Sequence, residues 1–441
     1  MTDGQVSGLH APGFAEKAVR DRARLGTAAA FPDRAGYGRT LFGETPSGAL
    51  PADLIDALRV VPPVFVPWRL EELIRLGREP AYPDVDLTTQ LGGFRSPMPV
   101  YLSAFGSTQV ASTDLGVAVA VAAGRAGVPM VIGENVVPMH GYGRVADDAA
   151  AGLLLDRVRA YAEHAPDGLG GVVIQQSTED ADAEVWNLAY SDPTATGLLD
   201  TGRLAFELKV GQGAKPGLGG MTVVSRDTAA AVAEQYLVDD LFGQDAPQVL
   251  RCGSPGTFTD EILRQQIRLM RNNYPRARVW VKLPPGRDVG AAALVAWTAG
   301  ADAVTVDGAE GGTGWAPLGF LDHVGLPLAE CLRRIHAATR QAGRGCLLAS
   351  GRMWAGPRAV KALALGATAV GLGRAALIAA DEDPGHGLSR LLDCLALELR
   401  LLISALGKYT PAALDGDDIW QPDGLAPDGL RGERIHEYLN H

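Results

Sequence analysis

Charged side chains stand inside two short apolar segments, where a charge is costly unless it is paired or used. The run F-E-L-K-V places Glu207 and Lys209 two residues apart, so on a strand both side chains point to the same face. In V-W-V-K-L, Lys282 alternates with apolar neighbours and also points to an interior. A carboxylate and an ammonium at such a position predict a functional site, and the alternative interpretation is a buried ion pair.

Lys282 allows two kinds of chemistry. It can stabilise a negative charge that develops on a bound cofactor, or it can form a Schiff base once desolvation lowers its pKa. A structural salt bridge is the alternative. Asp307, at the end of V-T-V-D, is either a catalytic acid or a cap of the following helix.

Three apolar runs late in the chain each end in a glycine-rich turn and are followed by a helical pattern. They read V-T-V-D-G-A-E-G-G-T-G, then L-L-A-S-G-R-M-W-A-G, then A-V-G-L-G-R. Glycine lets backbone N–H groups approach a phosphate closely. Arg374, just past the last turn, is placed for bidentate phosphate binding. Two such turns on the last two strands are typical of the phosphate cup of a TIM barrel.

Short apolar strands that alternate with amphipathic helices predict the fold class, an α/β TIM (β/α)8 barrel. We divide the chain into an N-terminal extension (1–90), the barrel (91–380), and a C-terminal helix with a tail (381–441). The eight predicted strands are Met98–Ala104, Val128–Gly133, Gly171–Gln175, Leu204–Val210, Arg278–Leu283, Ala303–Asp307, Cys346–Ser350 and Thr368–Leu372. Helices are predicted at Leu115–Ala126, Asp288–Ala299, Pro327–Gln341 and Pro357–Leu365.

Two segments lie outside this alternation. The extension is rich in proline and glycine, with helical patterns at Gly13–Arg24 and Leu70–Leu76, and we expect it to wrap the barrel or make subunit contacts. The connection from strand four to strand five is long, contains a possible extra strand, Q-V-L-R-C-G, and ends in a helix that Thr259 caps. Long loops on one face of a barrel carry its specificity.

Composition excludes several classes of function. The 441 residues carry a net charge of −11, which gives no basic field for nucleic acid or anionic lipid. No apolar run reaches the length of a membrane span, and no signal peptide is evident, so we expect a cytoplasmic protein. The four cysteines lie far apart without a C-x-x-C pair, so we expect no metal site.

Five motifs together resemble the FMN-binding synthase domain of the glutamate synthase family. They are G-Q-G-A-K-P-G-L-G-G-M, V-K-L, V-D-G-A-E-G-G-T-G-W-A-P, A-S-G-R-M-W-A-G and G-L-G-R-A-A-L-I. Y-L-S-A-F-G-S in the first strand and E-L-R-L-L-I-S-A-L-G-K near the C-terminus are also similar to that family. The likeness covers roughly 91–408, and it implies FMN as the cofactor and hydride transfer between flavin N5 and the carbon of an amino acid or imine.

The resemblance implies roles for particular residues. Residues expected at the flavin ring are Ser103, Ala104, Phe105, Glu134, Asn135 and Gln175, with Lys282 beside N1 and the C2 carbonyl. Residues expected at the phosphate are Gly311, Gly312, Thr313, Ser350, Gly351, Arg352, Gly371, Gly373 and Arg374. Residues expected on the substrate side, where a 2-oxo acid is handled, are Glu207, Lys209, Gln212 and Lys215. From its own position at the end of a strand, Asp307 is a further candidate catalytic residue.

The sequence also departs from the family. It carries neither the glutaminase domain nor the iron–sulfur cysteine cluster, so ammonia would come from a partner protein or from solution, and the electron-donor partner stays open. Arg352 stands where the family's S-G-G turn has its second glycine. We also expect a homo-oligomer.

Alternative functions remain. A 2-hydroxy acid oxidase resembles this barrel but carries H-G-G-R-Q after strand six, where this chain has E-G-G-T-G. The flavin-dependent isopentenyl diphosphate isomerase needs an H-x-N-x-x-Q-E motif that I-Q-Q-S-T-E-D does not match. A non-catalytic scaffold subunit is the third alternative, and the inward charges of Glu207, Lys209 and Lys282 count against it.

Overall fold

The structure is a computed structural model. It describes residues 10–11, 13–30, 53–105, 113–133, 148–177, 184–213, 222–233, 237–252, 258–312, 318–339 and 345–421. The strands are β1 (Arg59–Val60), β2 (Thr89–Leu91), β3 (Phe94–Ser96), β4 (Val100–Phe105), β5 (Met130–Ile132), β6 (Val172–Ser177), β7 (Leu204–Lys209), β8 (Thr222–Ser225), β9 (Leu237–Asp239), β10 (Gln248–Cys252), β11 (Arg278–Leu283), β12 (Ala303–Asp307), β13 (Cys346–Ser350), β14 (Ala369–Leu372) and β15 (Ile419–Trp420).

Helices cover the outside of the barrel and also lie in the described parts of the N-terminal extension and of the segment after the barrel. They are α1 (Glu16–Leu25), α2 (Leu54–Ala57), α3 (Pro67–Leu76), α4 (Thr113–Ala126), α5 (Asp148–Ala162), α6 (Glu184–Ser191), α7 (Thr196–Asp200), α8 (Arg226–Val232), α9 (Asp260–Asn273), α10 (Val289–Thr298), α11 (Leu318–His323), α12 (Leu328–Thr339), α13 (Gly356–Ala364), α14 (Arg374–Glu382) and α15 (Gly387–Ala405).

Eight parallel strands close into a barrel in the order β11-β12-β13-β14-β4-β5-β6-β7. The sequence predicted all eight, each to within two residues at either end. These runs are rich in β-branched and apolar residues because both faces of a parallel barrel strand are buried. The predicted TIM-barrel fold is therefore confirmed.

A hairpin closes the end of the barrel opposite the strands' carboxyl ends. β2 and β3 pair in antiparallel fashion through Gly92 and Gly93, whose φ angles of 56° and 92° suit a two-residue turn of the hairpin type. Phe94 packs on Trp280, and the Trp280 indole nitrogen donates to the carbonyl of Gly92 at 2.9 Å. The hairpin thereby closes the bottom of the barrel core. Tyr101 packs edge-on against Trp280 and extends this core toward the mouth.

The long connection between β7 and β11 carries a sheet of its own. β8, β10 and β9 form an antiparallel three-stranded sheet, so the run Q-V-L-R-C is a strand outside the barrel, as expected of this connection. Thr259 caps α9 as predicted, since its hydroxyl accepts from the Ile262 backbone N–H at 3.2 Å. This connection leaves the barrel at its carboxyl end, beside the candidate site.

The N-terminal extension and the segment after the barrel meet on the outside of the barrel. β1 pairs with β15, and α1 packs against α14 and α15 through the fully buried Val19 and Ala23. Both helical patterns of the extension are helices, α1 and α3. No helix in the described ranges has the length and apolar character that crossing a membrane requires.

Candidate active site

A buried carboxylate lies at the carboxyl ends of β6, β7 and β12. Glu207 is 1% exposed and accepts one hydrogen bond from the Gln175 side-chain amide at 2.5 Å and another from the Thr305 hydroxyl at 2.8 Å. The pairing register places Gln175 directly beside Glu207, which explains the contact. The two donors fix the plane of the Glu207 carboxylate at the barrel mouth.

A buried ion pair lies beside it. The Lys282 ammonium is 3.2 Å from the Asp307 carboxylate, and the Ser350 hydroxyl donates to the other oxygen of Asp307. All three residues are at most 5% exposed. Asp307 is thus engaged inside the barrel and does not cap the next helix. Since a lysine must lose its proton to form a Schiff base, the adjacent carboxylate favours charge stabilisation by Lys282.

The Glu207 carboxylate and the Lys282–Asp307 ion pair form one cluster. Lys282 is the register neighbour of Lys209 on β7 and of Thr305 on β12. Burial raises the pKa of Glu207, and the positive charge of Lys282 acts in the opposite direction, together with the hydrogen bonds from Gln175 and Thr305. The barrel mouth therefore holds two buried carboxylates and one ammonium, and the charges of Lys282 and Asp307 both act on Glu207.

The raised pKa of Glu207 predicts a pH dependence of stability. A carboxyl whose pKa is higher in the folded protein contributes stability below the unfolded value of 4.5, and this contribution is lost as the pH rises through the folded value. Glu207→Gln cannot ionise, so it should not show this loss. We expect the melting temperature of the wild type to fall relative to that of Glu207→Gln as the pH rises above 4.5. Melting temperatures that run parallel above this pH would contradict the assignment.

Glycine at position 371 is required by a packing contact. A Cβ there would lie 2.6 Å from the Tyr101 hydroxyl and 3.0 Å from the Ser103 Cβ. Tyr101 is fully buried, so its ring cannot move aside. The absent side chain thus lets the tyrosine and the serine fill the barrel interior below the mouth.

Gly371→Ala is expected to destabilise the protein by about 1–3 kcal/mol, because overpacking at a rigid core position forces side chains off their rotamers. Urea unfolding measures this. The matched control is Gly197→Ala, where a Cβ meets no atom within 4 Å, and its stability should be unchanged or slightly higher. Equal stability of the two variants would refute the packing argument.

The glycine turns after β12, β13 and β14 gather at one side of the mouth. A Cβ on Gly351 would approach the backbone nitrogens of Gly308 and Gly311, whereas Gly312 and Gly373 face open space. α14 starts at Arg374, and its N-cap residue, Gly373, has no side chain to cap the first turn. Uncapped backbone N–H groups at a helix start bind anions. Arg374 donates to the Glu310 carbonyl at 2.9 Å and so spans two of the turns.

Arg352 lies in the glycine turn after β13, but its side chain extends away from that turn. Its φ of 54° is the one positive value of a non-glycine residue in the described ranges, which accounts for the family's glycine at this position. Its guanidinium lies 3.4 Å from carboxylate oxygens of Asp53 and Asp56. Arg358 pairs with the same two carboxylates. The Arg352 side chain therefore contacts the N-terminal extension.

The remaining predicted residues divide into two groups. Ser103 is buried, while Ala104, Lys209 and Gln212 are half-buried at the mouth. Residues outside the described ranges are Glu134, Asn135, Lys215 and Thr313, and the side chain of Phe105 is likewise not described. Sequence reasoning did not predict Thr305 at the site, although its position two residues before Asp307 on one strand places it on the same face.

The fold and the site define a class of protein, a TIM barrel with a buried ionic cluster at its mouth and glycine turns beside it. Solved structures of a mutant of flavocytochrome b2 with sulfite bound (16% identity, TM-score 0.55, 88% of this chain and 82% of that one) and of a mutant chimera of (S)-mandelate dehydrogenase (20% identity, TM-score 0.53, 83% and 88%) share this fold.

Sequence comparison is more specific. The conserved region in glutamate synthase matches residues 195–381. Archaeal glutamate synthase [NADPH] of Methanocaldococcus jannaschii is 35% identical over 179 residues, 40% of this chain and 34% of its own length. Archaeal-type glutamate synthase [NADPH] of Thermotoga maritima is 35% identical over 272 residues, 53% of this chain and 50% of its own. The chain thus spans about a third to a half of the length of these relatives, and its matched segments are similar to theirs.

Proposed function

We propose that this protein is an FMN-dependent oxidoreductase that acts on the C–N bond of an amino acid or of the imine derived from a 2-oxo acid. The observation that carries the proposal is the buried Lys282–Asp307 pair at a barrel mouth that the glycine turns also border. A buried ammonium beside an anion-binding turn suits a cofactor that has a phosphate at one end and takes up negative charge at the other.

The residues present fit the phosphate end of FMN. The open space at Gly312 and Gly373 leaves room for phosphate oxygens, and the uncapped start of α14 supplies backbone donors. Arg374 would add a charge-assisted contact. Gly351 and Gly371 would keep the neighbouring walls free of side chains, and the Arg352 backbone belongs to the same turn.

The residues at the mouth would hold the ring end. Ser103, Ala104 and Gln175 would border the ring, and Lys282 would supply positive charge. FMN, when bound, would supply the hydride acceptor and donor at N5. Glu207 would keep Gln175 in one orientation through the hydrogen bond between them. Each side chain then has a fixed position before substrate arrives, so little reorganisation is needed.

The substrate side would be formed by Lys209 and Gln212, together with Lys215. A lysine ammonium and a side-chain amide can both donate hydrogen bonds to a substrate carboxylate, and this favours an amino or 2-oxo acid. Asp307 and Glu207 are buried carboxyl groups at the same barrel mouth, and either would exchange a proton with the nitrogen substituent. An ammonia source and an electron-donor protein are further parts of the proposal.

The experiment is anaerobic mixing of the flavin-loaded protein with paired compounds. L-Glutamate should bleach the flavin absorbance, and the matched 2-hydroxy acid, 2-hydroxyglutarate, should not. In the reverse direction, 2-oxoglutarate with ammonium should reoxidise the reduced protein and yield glutamate. Bleaching by the hydroxy acid alone would favour the 2-hydroxy acid oxidase alternative, and a protein that binds no flavin would favour the scaffold.

A further inference from the structure

The N-terminal helix is anchored on the two helices that follow the last glycine turn. Arg20 of α1 makes ion pairs at 3.0 Å with both Asp381 and Glu382, which end α14. Arg24 adds a contact at 3.0 Å to Glu382. With Val19 and Ala23 fully buried beneath it, α1 has a fixed position on the barrel.

The same helix also contacts the turn after β13. Arg22 lies 2.6 Å from one oxygen of Glu398, and the other oxygen of Glu398 accepts from the Gly356 backbone N–H at 2.7 Å, where α13 begins. The Arg22 guanidinium lies over the Trp354 ring, 4.8 Å from its centroid. α1 therefore supports the segments that follow the glycine turns after β13 and after β14.

Phe14, immediately before α1, extends this contact to Arg374. The Arg374 guanidinium carbon is 5.2 Å from the centroid of the Phe14 ring, a cation–π distance. On its other side the guanidinium donates to the Glu310 carbonyl. The arginine is thus held between an aromatic ring of the extension and a backbone carbonyl of the turn after β12. An arginine that is already oriented loses less conformational entropy when it binds an anion.

We propose that Phe14 is a positioning residue of the phosphate site, so that the N-terminal extension sets how tightly this protein holds the phosphate group of its flavin. The inference rests on the proposed function, because it takes Arg374 as a phosphate contact. It assigns a role to the N-terminal extension, which precedes the first barrel strand at Val100 and carries none of the glycine turns.

The test compares FMN with riboflavin, which lacks the phosphate, by quenching of flavin fluorescence on the flavin-free protein. Phe14→Ala should weaken FMN binding about two- to fivefold, the size of an exposed cation–π contact, and leave riboflavin binding unchanged. Phe14→Trp keeps a ring and should retain wild-type FMN affinity. In an Arg374→Ala background, Phe14→Ala should have no further effect.

The matched control is Trp68→Ala. Trp68 is also in the extension, and its ring makes the same kind of contact with the Lys408 ammonium at 5.1 Å, away from the glycine turns. Trp68→Ala should not change the ratio of the FMN affinity to the riboflavin affinity. If Phe14→Ala weakens the binding of FMN and of riboflavin equally, or weakens neither, the role of Phe14 is overturned. The proposed phosphate site would still stand. A wild type that binds riboflavin and FMN equally, or neither, would overturn the phosphate site itself.

Discussion

Lys282→Met is expected to lower the turnover of the flavin-loaded protein by about 100- to 1000-fold, the effect of removing one preorganised electrostatic contact from an active site. Methionine keeps the length and apolar stem of the side chain and removes the charge. The Lys282 ammonium is 3.2 Å from Asp307 and is buried, so no solvent cation replaces it. Steady-state turnover at saturating substrate checks this, and a variant within tenfold of the wild type would contradict the role.

A loss of stability must be separated from this effect. Removing one partner of a buried ion pair leaves an uncompensated charge and costs about 3–5 kcal/mol. The double variant Lys282→Met, Asp307→Asn removes both charges while keeping a polar group that Ser350 can contact. We expect it to recover most of the free energy of unfolding in urea but none of the turnover. Recovery of both would show that the pair is structural.

Arg374→Ala is expected to weaken FMN binding by about 10- to 100-fold, since hydrogen bonds to charged groups contribute about 1.5–3 kcal/mol. Riboflavin binding should change little. The matched control is Arg264→Ala, which removes an arginine of α9 that pairs with Asp260 at 2.7 Å and takes no part in positioning α1. An equal fall for both flavins would mean that Arg374 only supports the turn through the Glu310 carbonyl.

The sequence was sufficient for the barrel because each strand is a short apolar run between turn signals. Alternation also placed Glu207 and Lys282 correctly inside the barrel, since successive side chains of a strand point to opposite faces. The partners of these residues could not be predicted in the same way. The contact of Gln175 with Glu207 and that of Asp307 with Ser350 depend on the register between strands, which closure of the barrel determines.

Contacts between residues that are far apart in the sequence were still harder to predict. The Arg352 side chain contacts Asp53, 299 residues earlier, although its place in the turn suggested a phosphate contact. Local pattern carries no information about such a pairing, because the extension reaches this turn only after it folds over the barrel. One signal was available and not used: the pair Gly92-Gly93 between apolar residues is typical of a two-residue hairpin, and it closes the barrel bottom.

The central claim is that the barrel mouth holds a flavin, with the phosphate end at the glycine turns and the ring beside Lys282. The most direct measurement is the visible spectrum of the purified protein after addition of FMN and removal of the excess, followed by mass spectrometry of the released ligand. We expect an absorbance band near about 450 nm and one FMN per chain. A colourless protein, or one that retains riboflavin as well as it retains FMN, would contradict the account.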